Sequence, residues 1–149
     1  MRTLTSVIED AELRPQVIRD VVTLIDQEVE RKSGITGFAL KAGYKAVKTL
    51  RSGRMIPDVV DFLLGEFAAA VEPIHAEYRS LEQHDGFDRY LVTNAPRAAD
   101  GLLTVTDRRA ERTDNRLIAG TYRKLRPTAE RHVVEALPGL GRLIDTHCA

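Results

Sequence analysis

The apolar positions of this chain recur at intervals of three and four over most of its length. Val17, Ile18, Val21, Val22, Ile25 and Val29 mark one face, with Asp20, Asp26 and Glu30 opposite. Many of these residues are β-branched, but the spacing is helical rather than alternating, so the pattern predicts a helix. Pro15 suits its first turn. A shorter helix ahead of it is signalled by Ser6 with Glu9 three residues on, the spacing of a capping box. The longest pattern opens at Pro57. Val59, Val60, Leu63, Leu64, Phe67, Ala70, Val71, Ile74, Tyr78 and Leu81 share one arc of about 140°. Pro73 falls on the polar side of that arc, which predicts a kinked but continuous helix over 57–81. Residues 82–95 break the rhythm and read as a connection, with Phe87, Tyr90, Leu91 and Val92 tucked into the core edge. Asn94 and Pro96 then open a helix over 95–113, and shorter helices follow over 115–126, from Pro127 and from Pro138. No hairpin signal and no repeat occurs. The predicted fold is all-α: a single-domain bundle of about six helices over 1–149, with a central antiparallel pair 35–51 / 57–81.

Between these patterns lies a stretch of a different kind, RKSGITGFALKAGYKAVKTLRSGR, residues 31–54. At 100° per residue, Ile35, Phe38, Ala39, Ala42, Gly43, Ala46, Val47 and Leu50 form one broad apolar arc. Lys41, Tyr44, Lys45, Lys48 and Arg51 gather on the other side. Ser33-Gly34 is a plausible start and Ser52-Gly53 a stop. Gly within a helix costs roughly 1 kcal/mol relative to Ala, so Gly43 points to another backbone coming close there. The expectation is a helix with small aliphatic side chains turned inward and ammonium groups turned to solvent.

Charge sharpens this. The chain sums to zero, but unevenly: residues 1–30 carry −4, residues 31–54 carry +7 with no acid, residues 55–90 carry −6 and residues 91–149 carry +3. An ordinary solvated helix mixes signs to gain i,i+4 pairs, and this one does not. The flanking acidic segments offer it internal partners. The neutral total argues against nucleic acid, whose binders usually carry a basic excess over the whole domain. With four Phe, four Tyr and no Trp, the core is aliphatic. One cysteine, Cys148, makes no internal disulfide and fits a reducing compartment. No signal-peptide pattern and no run of roughly 20 apolar residues appears. The expected setting is soluble and cytoplasmic.

Residues 32–78, with KSGITGFALKAGYKAVK at their head and the 57–78 amphipathic run behind, are similar to a family of small, uncharacterised bacterial helical proteins, a domain of unknown function. The Gly-and-Lys pattern (Gly34, Gly37, Lys41, Gly43, Tyr44, Lys45, Lys48) is the most specific part. The resemblance implies an all-α fold and brings no activity with it.

The remaining constellations are sparse. Gly34-Ile-Thr-Gly37 ahead of Lys41 could present helix N-terminal amides to a phosphate, but a Walker loop needs Lys directly after its last Gly. Glu72-Pro-Ile-His75 is one Glu-x-x-His step, where a di-iron bundle needs two. His132, His147 and Cys148 lack metal spacing. Gly139-Leu-Gly141 reads as a turn. The bases from Arg108 to Arg126 are interleaved with Asp107, Glu111 and Asp114. No cofactor and no metal are expected. Three function classes are left. The first is a non-enzymatic helical interaction module, acting by self-association as a homo-oligomer or on a protein partner. The second is a binder of an anionic membrane surface or phosphate ligand through Lys41, Tyr44, Lys45, Lys48 and Arg51, with Gly34 and Gly37. The third is an enzyme using Lys45, or His75 with Glu72, for which no acid–base set is visible.

Overall fold

Thr3 opens the first helix. Its hydroxyl accepts the amide of Ser6 at 3.0 Å, so the cap lies three residues ahead of the one the Ser6–Glu9 spacing predicted. The computed structural model describes residues 1–149, and all of its regular structure is helical. The elements are α1 (Leu4–Glu9), α2 (Arg14–Arg31), α3 (Gly34–Lys48), the single turn α4 (Leu50–Gly53), α5 (Met55–Arg79), α6 (Phe87–Thr93), α7 (Ala95–Arg112) and α8 (Arg116–Cys148).

The all-α class agrees with the periodicity, but the segments divide differently from the six expected. Residues 82–95 contain a helix of their own, because Phe87 and Leu91, one turn apart, are both wholly buried. Asp145 of α8 fixes its start, accepting the amide of Phe87 at 2.9 Å. The three short helices expected after residue 115 are instead one, with Pro127 and Pro138 inside it. Leu137, Gly141, Ile144 and Cys148 are buried at steps of four, three and four. That continuous inner face holds the helix through Pro138 despite the lost amide donor. Pro73 is likewise carried inside α5, as its polar-side position predicts.

The spine of the bundle is α8, which packs on α1, α2, α3, α6 and α7. On the other side α5 packs on α1, α2 and α7, and the backbones of α5 and α8 nowhere come close. The antiparallel partner with the wider seam against α3 is α8, not α5: Thr36 meets Arg131, while Gly43 meets Thr121. Three glycines set these distances. A Cβ on Gly141 would lie 2.3 Å from Asp88 Cα, one on Gly139 2.6 Å from Leu24 Cδ1, and one on Gly43 2.7 Å from Thr121 Cγ2.

One end of the core holds an unusual ring. The His75 imidazole is wholly buried, 4.8 Å from Phe87 in an edge-on arrangement, and neither ring nitrogen has a hydrogen-bond partner in the protein. Burial, with Arg79 nearby, pushes its pKa below the ordinary value. The exposed surface is 8872 Å², against roughly 7,600 Å² for a close-packed chain of this mass. The bundle therefore leaves more side-chain surface uncovered than its size requires.

Two alanine substitutions within the same helix test this packing. Gly141→Ala drives a Cβ into the α6 backbone and should lower the melting temperature by about 5 °C or more. Gly120→Ala has open space around it and should raise stability by up to about 1 kcal/mol. Thermal unfolding of both by circular dichroism checks the pair; equal effects would contradict the α6–α8 crossing.

Candidate functional site

The helix α3 forms where predicted, ending before three left-handed residues, Arg51, Ser52 and Gly53 (φ 55°, 58° and 82°). Its orientation is not the one predicted. The inward side runs through Thr36, Gly37, Leu40, Gly43, Tyr44 and Val47. The outward side runs through Ile35, Phe38, Ala39, Ala42, Lys45, Ala46 and Lys48, with Lys41 half-buried at its edge. The buried direction is thus turned by about 120° from the apolar arc. Ile35 is 90 % and Phe38 75 % exposed.

Three contacts impose this rotation. Gly37 lies on the backbone of Lys32, where a Cβ would come within 2.8 Å of the carbonyl carbon. Gly43 admits Thr121 and Leu125 of α8. The Tyr44 hydroxyl donates to the Asp26 carboxylate of α2, and Lys48 Nζ reaches the same oxygen at 3.1 Å. Asp26 is held below its ordinary 3.8, first by the Tyr44 hydroxyl and then by Lys48. The Tyr44 phenol is pushed up by burial and by the neighbouring carboxylate.

The charges divide accordingly. Arg31 pairs with Glu28. Lys32, the one buried cation, is clamped by Glu28 at 3.4 Å and Glu135 at 2.9 Å. Lys48 pairs with Asp26, and Arg51 with Asp58 at 3.4 Å. Lys41 and Lys45 have no carboxylate partner, and Arg54 donates only to the Arg51 carbonyl at 3.2 Å. Of the residues singled out in the sequence, Lys41 and Lys45 remain as free cations beside the apolar stripe. Tyr44, Lys48 and Arg51 are tied to acids, Gly34 is a left-handed start (φ 75°) and Gly37 is packed against Lys32. Gly34 and Gly37 thus face different surroundings, one open and one closed.

Elsewhere, Phe62 is also exposed, but the Arg109 guanidinium lies over its ring at 4.3 Å. Phe38 has no such cover. Glu72 accepts the Leu4 amide at 2.9 Å and pairs with Arg79, so it anchors α1. His147 Nε2 lies 2.7 Å from Asp20. The Cys148 thiol is buried and pushed up to about 11, first by burial and then by Glu72. Asp107 gathers Arg126 and Tyr122. Gly139 and Gly141 are interior to α8 rather than a turn. The exposed Ile35–Phe38 face was missed in the sequence. The signal for it was the pair Gly37 and Gly43, which lie on the side of the helix that neighbours approach.

This is an all-helical chain whose distinguishing surface is one basic, partly apolar helix. It belongs to DUF6918, a family of unknown function whose model matches residues 4–148. No curated protein and no solved structure matches it. No helix is long and apolar enough to cross a membrane.

The α2–α3 seam has a pH signature. Asp26 is depressed in the fold, so its contribution is present above about pH 4 and is lost as pH falls through the folded value. Asp26 is more than a third exposed, so Asp26→Asn should cost only about 0.2–1 kcal/mol at neutral pH. Denaturant unfolding should show that gap closing as pH falls below the ordinary carboxylate value of 3.8. An undiminished gap in acid would exclude the ion-paired role.

Proposed function

We propose that this protein is a non-enzymatic docking module that seats α3 on an anionic membrane surface. The observation that carries this reading is the exposure of Ile35 and Phe38 beside Lys41 and Lys45, on a helix without a single acid. An interfacial helix lies in the membrane plane with apolar side chains in the acyl boundary and lysines at headgroup level. Tyr44 and Lys48, held by Asp26, fix which face is presented.

The charge also favours this occupant over a second copy docking α3 to α3. Such a dimer would bring two acid-free basic helices together, and like charges suppress association. The small residues Ala39, Ala42 and Ala46 would accept a helical protein partner, but it would have to be acidic as well as apolar.

Magnitudes point to a reversible contact. Two large side chains leaving water contribute about 1.5–3 kcal/mol each. Two lysines near an anionic surface add about 1 kcal/mol apiece. The sum is in the range of micromolar to sub-millimolar affinity.

Co-sedimentation with vesicles, anionic against zwitterionic, tests the reading. The protein should bind anionic vesicles and release as salt rises. Ile35→Ser with Phe38→Ser should weaken binding by at least tenfold, and Lys41→Gln with Lys45→Gln should remove the salt dependence. Binding indifferent to lipid charge, or none at low salt, would overturn it. A change in oligomeric mass caused by the serine variants, without vesicle binding, would assign the face to a protein instead.

A further inference from the structure

Between α5 and α8, where the two backbones stand apart, the bundle leaves a partly open cavity of about 290 Å³. Side chains from α1, α2, α5, α7 and α8 wall it, and none comes from α3. Twenty of the 22 lining residues are hydrophobic. In the two others, the Thr106 hydroxyl and the His147 Nε2 are engaged elsewhere. Thr106 Oγ1 lies 3.1 Å from the Leu103 carbonyl and 2.7 Å from the Tyr122 hydroxyl, and His147 Nε2 lies 2.7 Å from Asp20. The cavity thus offers almost no hydrogen-bonding group to an occupant.

Close-packed interiors leave few voids larger than a water molecule, and a void of this size has room for about ten of them. Water does not fill it well, because a buried water needs polar partners. A nucleotide, a sugar or a phosphate would bring polar atoms that nothing here satisfies. A helix, about 10 Å across, does not fit in the space. A methylene fills about the volume of one water, roughly 30 Å³, so the cavity takes a hydrocarbon chain of about ten carbons.

The walls supply a route in. Leu24 of α2 and Leu143 of α8 line both the cavity and a polar groove on the outer surface that includes Arg31, Glu28 and Arg142. Val21, Leu24, Ile25 and Leu140 remain only half-buried although they are apolar and face the interior. A chain lying in the cavity would cover these side chains and join its polar end to water through the groove.

We propose that the cavity is a binding site for a single unbranched aliphatic tail, recognised by its hydrocarbon and not by its head group. The site is separate from the α3 face and stands or falls independently of it.

The test uses the delipidated full-length protein with straight-chain fatty acids from hexanoate to hexadecanoate, each below its micellar concentration and without vesicles. Thermal unfolding should show a saturable rise in melting temperature that peaks near decanoate, and native mass spectrometry should show one chain per protein. Decan-1-ol should match decanoate. If only the carboxylate binds, head-group recognition replaces the tail and the proposal falls. Ala68→Leu and Ala136→Leu, which line the cavity, fill it and should weaken decanoate by at least about tenfold. Circular dichroism confirms that these variants fold; undiminished binding in the folded variants would overturn the site. If neither variant folds, the length series on the native chain decides, and a flat profile from six to sixteen carbons overturns it. Phe38→Ser should leave decanoate binding unchanged, which separates a failure here from a failure of the membrane reading.

Discussion

The structure depends on how closely other helices can approach α8. Side chains normally keep helix axes 8–10 Å apart; here glycines on either member of a pair reduce the distance. Gly141 receives the α6 backbone at Asp88, Gly139 receives Leu24 of α2, and Gly43 lets α3 close on Thr121. α1 and α7 also reach α8, and only α5 among the long helices is left without a contact to it. No glycine brings α5 to α8. The close crossings and the cavity are therefore two results of one arrangement: contact is tight where a Cβ is missing and open where large aliphatic side chains must bridge.

The same constraint explains why α3 turns its apolar stripe outward. Burying that stripe would require Gly37 and Gly43 to face away from Lys32 and α8. It would also draw Tyr44 away from Asp26 and Lys48 from its carboxylate. Two close approaches and a shared ion pair outweigh the burial of Ile35 and Phe38. The net charge of zero conceals this division. The acids of α2 and α8 hold the basic stretch at Lys32 and Lys48, and α5 holds it at Arg51. Lys41 and Lys45 are left outside these pairs.

Much of the architecture was legible in the sequence, because a 3.6-residue period written in aliphatic residues survives whatever the tertiary contacts are. The inner face of α5, from Val60 to Tyr78, could be read directly, and so could the continuity of that helix through Pro73. A close approach at Gly43 was also readable, but what comes there is the Thr121 side chain and not a backbone. Prolines misled in α8, where Pro127 and Pro138 appeared to start new helices although the buried steps of Leu137, Gly141 and Ile144 continue past them. The outward face of α3 was not legible. An arc of apolar residues says which side of a helix avoids water on average, but the partner that covers it is set by long-range pairing. Glu135, which clamps Lys32, is more than a hundred residues away. The cavity left no trace either, since the residues that line a void have the same composition as those that fill a core.

The two surfaces singled out here meet on α2. Ile25 lines the cavity, and the next residue, Asp26, holds Tyr44 and Lys48 of α3. Leu24, one residue earlier, lines the cavity and abuts Gly139. Three consecutive positions thus face the void, the spine and the basic helix, as 100° steps around a helix allow. Neither surface borders the other directly, because no side chain of α3 reaches the cavity. Any influence of one on the other must pass through the rigid backbone of α2, which is fixed at its far end by the buried Lys32 with Glu28 and Glu135. A helix held at that end and at Gly139 has little freedom to shift along its length.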